Sequence, residues 1–240
     1  MALRVGTSGW VYKSWRGRLY PQDLAQRRWL AHYASVFDCV EVNGSFYRLP
    51  EESTFRRWGE AVPDGFRFAV KGSRYVTHFQ RLRNAADSVE RVTGRARALG
   101  DRLGPMLWQL RPDMRLDLGR LDEFLAVLPR DLRHVIEPRH ETWFVEPVRE
   151  RLIEANVAIC AWEMLGLERA PEPTADLAYV RFHGTTATYG GTYGEELLAP
   201  WVDRMRRWQD EGRDVWAFFN NDIDGHAVED ALRLRRMLTG

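Results

Sequence analysis

Residues 178–183 read Ala-Tyr-Val-Arg-Phe-His, and the pattern in this short segment decides the fold. Side chains alternate between the two faces of a strand, so Val180 and Phe182 face one layer and Arg181 and His183 the other. Strands of a parallel barrel are covered on both faces and are normally apolar throughout. The alternation therefore predicts a strand with one apolar outer face and one polar face directed into a barrel or over its mouth.

Segments of this kind recur along the chain, and each is followed by a stretch with helical periodicity, as in βα units. We predict eight strands, at 3–7, 39–43, 66–71, 105–109, 134–137, 157–162, 178–183 and 215–220. The predicted helices lie near 23–36, 53–61, 85–100, 120–128, 146–155, 199–211 and 225–238. Right-handed crossovers place each strand beside the last, so residues 1–240 are expected to form a single (β/α)8 TIM barrel. Residues 166–173 contain two prolines, so the sixth helix is predicted to be degenerate.

Composition narrows the class of protein. The chain has 240 residues, and its 35 basic and 34 acidic residues nearly cancel, which argues against a surface that holds nucleic acid by bulk positive charge. Both cysteines, Cys39 and Cys160, lie in apolar runs, so no disulfide framework is expected. No stretch is long and apolar enough to span a bilayer, and no leader is recognised at the start. We expect a cytoplasmic protein without a membrane or an obligate protein partner.

Charged and amide side chains concentrate at the carboxyl ends of the predicted strands, where barrel enzymes carry their chemistry. Burying charges costs several kcal/mol unless they are paired, so these groups should form one connected network. A purely structural ion-pair plug is the alternative. The candidate catalytic residues are Glu41, Glu137, His183 and Lys71. The candidate substrate-binding residues are Trp10, Asn43, Tyr47, Arg48, Arg139, His140, Trp143, Arg181, Asn220, Asn221 and Asp222.

The chemistry of these residue types suggests a catalytic or binding role for each. Lys71, Arg139 and Arg181 can stabilise anionic oxygens, Glu41 or Glu137 can act as a general base, and His183 can be an acid or a metal ligand. A divalent metal is left open, because potential ligands are numerous but no HxH or HExxH spacing occurs. The Gly-rich segment 184–194 is interpreted either as a phosphate-binding loop or as a mobile lid.

Several motifs also resemble a known family. They are Gly6-Thr7-Ser8-Gly9-Trp10, Val40-Glu41-Val42-Asn43, Ser45-Phe46-Tyr47-Arg48, Lys71 with Thr77-His78, Glu137-Pro138-Arg139-His140 with Trp143, Tyr179-Val180-Arg181-Phe182-His183-Gly184, and Phe219-Asn220-Asn221-Asp222. In this order and over nearly the whole chain, they resemble the YecE-like family, also called domain of unknown function family 72. The resemblance implies a TIM barrel and does not imply a reaction.

Three functional hypotheses follow. The first is an enzyme that acts on a phosphorylated or nucleic-acid-derived ligand at the barrel mouth, such as a phosphoester hydrolase or a nuclease-like protein, with arginines on the phosphates and aromatic rings stacked on the ligand. The second is a non-catalytic protein that binds nucleic acid or nucleotides. The third is a glycoside-processing enzyme that uses Glu41 and Glu137 as its carboxylate pair.

Overall fold

The computed structural model describes residues 1–240 and contains nine strands and eight α-helices. The strands are β1 Leu3–Thr7, β2 Cys39–Val42, β3 Arg67–Lys71, β4 Leu103–Gln109, β5 His134–Glu137, β6 Val157–Met164, β7 Leu167–Arg169, β8 Leu177–Phe182 and β9 Asp214–Phe219. The helices are α1 Trp29–Tyr33, α2 Gly44–Tyr47, α3 Glu52–Glu60, α4 Ala86–Ala96, α5 Leu118–Ala126, α6 Glu146–Glu154, α7 Glu195–Asp210 and α8 His226–Thr239.

Eight of the strands form one parallel sheet that curls into a nearly closed barrel. Their order is β1-β9-β8-β6-β5-β4-β3-β2. The sheet closes between β1 and β2 through a single bridge from Ser8 to Glu41, where the amide of Gly9 donates to the carbonyl oxygen of Glu41 at 2.8 Å. The predicted TIM-like barrel is confirmed, and each of the eight predicted strands overlaps an observed one.

The sixth unit has no helix, as the two prolines predicted. After β6 the chain turns back into β7, which pairs antiparallel with the end of β6, and then runs without regular structure to β8. A surface cavity of about 510 Å³ lies beside β7, and Trp143, Ile159 and residues 168–172 contribute to its lining. Glu41, Lys71, Glu137, Arg139 and Arg181 do not line this cavity.

Helix boundaries differ most at the first unit. In place of a helix over 23–36, the structure has a 3-10 turn at Gln26–Arg28 followed by the short α1. The apolar periodicity still places Leu30 and Tyr33 in the core. The short α2 and a π-helical turn at Tyr75–Phe79 follow β2 and β3 and were not predicted. No helix combines the length and apolar character needed to cross a membrane.

Two apolar layers lie on either side of the sheet, and they follow the predicted alternation. Val40, Val70, Ile136, Val180 and Phe182 belong to the outer layer between strands and helices. A smaller inner cluster fills the barrel below the polar residues, with members Cys39, Ala69, Leu107, Val135, Ala158, Cys160, Ala175, Leu177, Tyr179, Trp216 and Phe218. The inner layer supports the charged residues that lie above it at the carboxyl ends of the strands.

Closure of the barrel depends on a glycine in β1. A Cβ atom on Gly6 would lie 2.5 Å from the carbonyl oxygen of Cys39 on β2. We expect Gly6→Ala to lower the free energy of unfolding by about 1–3 kcal/mol, because backbone must move to relieve the overlap. Gly65→Ala is the control, since no atom lies within 4 Å of its Cβ position. Chemical denaturation of both variants measures the difference, and equal stability would contradict this account of the closure.

Candidate functional site

Arg181 stands at the centre of the barrel mouth. It is the fifth residue of β8 and points inward, and its side chain is fully buried. One guanidinium nitrogen, Nη1, donates to Glu137 Oε2 at 2.6 Å, and the other, Nη2, donates to Glu41 Oε1 at 2.7 Å. One cation therefore links two carboxylates from opposite parts of the barrel.

The Glu41 carboxylate is saturated by its neighbours. Its Oε1 accepts from Ser8 Oγ at 2.7 Å as well as from Arg181, and its Oε2 accepts from the Tyr179 hydroxyl at 2.7 Å. Glu41 is fully buried. Both oxygens are thus occupied by fixed donors, which holds the carboxylate in one orientation.

Glu137 has even more partners. Arg139 Nη2 lies 2.5 Å from its Oε1, His183 Nε2 lies 3.1 Å from the same oxygen, and Gln109 Nε2 donates to both oxygens at 3.1–3.2 Å. Burial alone would raise the pKa of Glu137, but Arg139 and Arg181, with the hydrogen bond from His183, hold that pKa well below its usual range. The carboxylate therefore stays ionised at neutral pH.

His183 is buried and neutral. Burial, together with Arg139 and Arg181, lowers the pKa of the imidazole to about 3. Asn220 Nδ2 lies 3.3 Å from Nδ1, whereas Nε2 lies 3.1 Å from Glu137 Oε1 and 2.5 Å from Arg139 Nη2. The loop after β8 lies over this histidine, because the amide of Tyr189 donates to the His183 carbonyl at 2.6 Å.

Five polar groups of the mouth lack a protein partner. Lys71 ends β3 and is 7 % exposed, and its amine makes no hydrogen bond or ion pair and lies 4.1 Å from the centre of the Phe46 ring. The other four are fully buried, and they are Arg139 Nε, Arg181 Nε, Asn43 Oδ1 and Asn221 Oδ1. Burial, followed by the positive charge of Arg181, lowers the pKa of Lys71 to about 7. Because unpaired buried polar groups are costly, these atoms mark where the hydrogen bonding of the mouth is incomplete.

The candidate aromatic residues divide into two groups. Trp10 is 8 % exposed and packs edge-on against Trp58 and Phe68. Trp143 is 1 % exposed and donates its indole N–H to the Met114 carbonyl at 2.8 Å. The structure therefore places both tryptophans in the core below the loops. Tyr47, in contrast, is 69 % exposed at the end of α2.

The arginines near Tyr47 form an exposed cationic edge. Arg48 is exposed, and the Arg74 guanidinium lies between the rings of Tyr47 and Phe79, at 5.5 and 5.6 Å from their centres. Phe46, under the Lys71 amine, is in edge contact with Tyr47. This edge is continuous with the unpartnered Lys71.

The remaining candidates lie around the rim. Asn221 is directed away from His183, because its amide donates to the Gly191 carbonyl at 2.8 Å and to Asp230 at 2.7 Å. Asp222 accepts from the Trp15 indole at 2.5 Å, and burial raises the pKa of its carboxyl to about 6. His140 is half-buried, and its Nδ1 lies 3.0 Å from Thr142 Oγ1.

Asp230 on α8 fixes the Gly-rich segment 184–194. It accepts from the Tyr193 amide at 2.8 Å and from Thr192 Oγ1 at 2.9 Å, in addition to Asn221. Gly184 has a φ of 118°, and its backbone passes so close to Gly190 that a Cβ atom would overlap it. The segment is therefore a folded loop anchored to α8 over the last two strands.

The potential metal ligands do not converge. No group of three or more His, Cys, Asp or Glu side chains is arranged to hold a metal ion. Glu163, another potential ligand, accepts from the Trp201 indole at 3.1 Å on the outer side of β6. Glu41 and Glu137 are instead paired with arginines.

Comparison with known proteins places this arrangement in a family. A family model described as "Protein of unknown function DUF72" matches residues 4–240. This chain belongs to the DUF72 family. The UPF0759 protein YunF of Bacillus subtilis is 23% identical over 269 residues, covering 98% of this chain and 94% of YunF. The UPF0759 protein YecE of Escherichia coli K12 is 33% identical over 156 residues, covering 65% of this chain and 55% of YecE.

Solved structures agree with the fold of this DUF72 chain. A DUF72 family protein of Thermotoga maritima superimposes with a TM-score of 0.91 at 26% identity, and the match covers 100% of both chains. One from Enterococcus faecalis gives a TM-score of 0.83 at 20% identity, over 99% of this chain and 96% of that one. These likenesses support the barrel and carry no information on the reaction.

Three residues that support the candidate site were not among the predicted site residues. Ser8 and Tyr179 complete the shell of Glu41, and Asp230 anchors the loop over the mouth. The strand alternation could have found Tyr179, because it shares the inward face with Arg181 and His183. Asp230 lies within a helix far along the chain, where an acidic residue is usually exposed, so no local pattern indicates its role.

Proposed function

We propose that this protein is an enzyme that binds a phosphorylated or otherwise anionic small ligand at the carboxyl ends of the barrel strands. The observation that carries the proposal is the Lys71 amine, which is nearly buried and has neither a hydrogen bond nor an ion pair. A buried ammonium without a counterion favours the approach of an anion, because the anion restores the charge balance.

The charges beneath this amine support an anionic ligand. Arg181 and Arg139 are matched by Glu41 and Glu137, so no carboxylate of this network is left over for Lys71. The exposed Arg48 and Arg74 extend the positive charge outward. Hydrogen bonds between charged partners are about twice as strong as neutral ones, so a phosphate group fits this field.

We propose different roles for the buried ion-pair network and for Lys71. Glu41, Glu137 and Arg181 are fully buried and bonded to one another, and we propose that they hold Arg139 and His183 in position. Lys71 is the residue that we propose meets the ligand and accepts a proton from it, since its lowered pKa of about 7 leaves part of the amine neutral.

A non-catalytic ligand-binding protein is the second candidate, and one observation favours it. Glu41 and Glu137 are sealed from solvent by their partners, so neither is free to act as a general base on a ligand above them. The same burial gives no support to a glycoside-processing enzyme, because a glycosidic oxygen has no access to either carboxylate. Turnover of phosphoesters by the wild-type protein would separate an enzyme from a binding protein.

We expect Lys71→Met to weaken the binding of inorganic phosphate by about 10- to 100-fold, the value of one charge-assisted hydrogen bond. Isothermal titration calorimetry at about pH 6, below the pKa of Lys71, measures the affinity at low salt. Lys13→Met is the matched control, because Lys13 is the other lysine of the chain and is exposed. Equal phosphate affinity in wild type and Lys71→Met would refute the proposed site.

A further inference from the structure

We propose that Lys71 forms a Schiff base with an aldehyde or ketone that carries a phosphate or similar anionic group. The anionic group of this substrate class rests on the proposed function above, whereas the covalent step rests on the environment of the amine itself. A lysine becomes a nucleophile toward carbonyl carbon when it is desolvated or lies next to other cations. Lys71 satisfies both conditions.

The burial of Lys71 and its lack of a counterion favour a neutral amine, whereas the face of the Phe46 ring favours the ammonium. The residue is 7 % exposed, and Nζ lies against the Phe46 ring, at 4.1 Å from its centre. None of the twenty ion pairs of the protein includes a lysine. The amine nevertheless keeps a small exposed area, in contrast to the fully buried Arg139 Nε and Arg181 Nε, and the covalent step requires that a small carbonyl compound enter there.

The charged groups around Lys71 also favour the neutral form of its amine. The titratable groups whose charges interact with it include Arg181, Glu137, Glu41, Arg139 and His78. The two carboxylates would favour an ammonium, but each lies within 2.7 Å of an arginine nitrogen. His78 is in edge contact with Phe46, and its pKa is lowered to about 4 by burial and by Lys71 itself. No negative charge close to Lys71 is left uncompensated.

The covalent step is balanced without any oxidant or reductant. The neutral Nζ attacks the carbonyl carbon and forms a C–N bond while the C=O π pair moves to oxygen. Proton transfer from nitrogen to oxygen gives a carbinolamine, and loss of the oxygen as water gives the imine. Protonation of the imine nitrogen restores a positive charge at this position. The product therefore keeps the charge that the anionic group of the substrate faces.

Arg139 is positioned to hold that anionic group. Its guanidinium lies over the Trp162 ring at 4.6 Å, and its side chain is 10% exposed. Nη2 is bonded to Glu137, but Nε has no partner and Nη1 has only the Met164 sulfur at 3.9 Å. Because Nε is fully buried, Nη1 is the group of this nearly buried arginine that is left for ligand oxygens.

Borohydride trapping tests the inference on the full chain. The protein is incubated at about pH 8 with glycolaldehyde phosphate, reduced with sodium borohydride, and mapped by peptide mass spectrometry. We expect a secondary amine on Lys71. The labelled fraction of Lys71 should be at least tenfold higher than that of the exposed Lys13 side chain or of the exposed α-amino group of Met1. Glycolaldehyde, which lacks the phosphate, should label Lys71 at least tenfold more slowly.

Two variants, Lys71→Arg and Lys13→Arg, control for the site of labelling. Lys71→Arg should abolish the adduct, and Lys13→Arg should leave the labelling of Lys71 unchanged. If Lys71 were labelled no faster than Lys13, the inference would be overturned. If the same sample still bound phosphate, the proposed anion site would stand. Rapid labelling of Lys71 by both aldehydes alike would instead support the Schiff base and refute the anion site.

Discussion

Arg181→Met should lower the free energy of unfolding by about 3–5 kcal/mol at neutral pH, the cost of leaving buried carboxylates without their counterion. Arg181 bonds Glu41 and Glu137 at 2.6–2.7 Å, and all three side chains are fully buried. Methionine fills a similar volume but donates no hydrogen bond. Equilibrium denaturation in urea measures the loss.

Acidification should partly reverse the effect. In the wild type, burial is outweighed by Arg139 and Arg181, and the depressed pKa of Glu137 means that stability is lost as pH falls below the usual glutamate value of 4.5. In the variant the carboxylates are buried with less positive charge, so they bind protons more readily in the folded state, and stability rises as pH falls. The gap between the two proteins should therefore narrow at low pH.

Arg97→Met is the matched control for this prediction. Arg97 also donates to a carboxylate at 2.6 Å, that of Asp131, but their side chains are 42% and 63% exposed. An exposed ion pair contributes about 0–1 kcal/mol, so this variant should be nearly as stable as the wild type. Similar losses in Arg97→Met and Arg181→Met would show that burial of the central network does not determine its contribution.

The part of the site that lies on strands was predictable from the sequence. Period-two alternation requires Glu41, Lys71, Glu137 and Arg181 to share the inner face, and parallel strands bring their carboxyl ends to one rim. The structure brings these side chains together as the alternation predicts. The fold followed from the same regularity, including the sixth unit, where two prolines removed the helix.

The part that lies on loops was not predictable, because no period fixes a side-chain direction beyond the end of a strand. Asn220 and Asn221 are identical neighbours just after β9, yet one faces His183 and the other faces Asp230. Trp10 illustrates the same limit. Its large ring can stack on a ligand or pack in the core, and the path of the loop places it in the core.

Lys71→Met should stabilise the protein at neutral pH and below, by an amount on the order of 5 kcal/mol at most. Burial, together with Arg181, lowers the pKa of Lys71 from 10.5 to about 7 in the folded state. Between these two values the unfolded chain holds a proton that the folded chain has released. The wild type therefore gains stability as pH rises from about 7 to 10.5, and it pays the full desolvation cost below that window.

The measurement is the difference in free energy of unfolding between wild type and Lys71→Met across that pH range. Methionine does not titrate, so the advantage of the variant should be greatest below about pH 7 and should shrink as pH approaches 10.5. Lys13→Met should follow the wild type at every pH, because Lys13 is exposed. A difference that does not change with pH would mean that Lys71 titrates as an ordinary lysine, and the amine could then not react as a neutral nucleophile near pH 7.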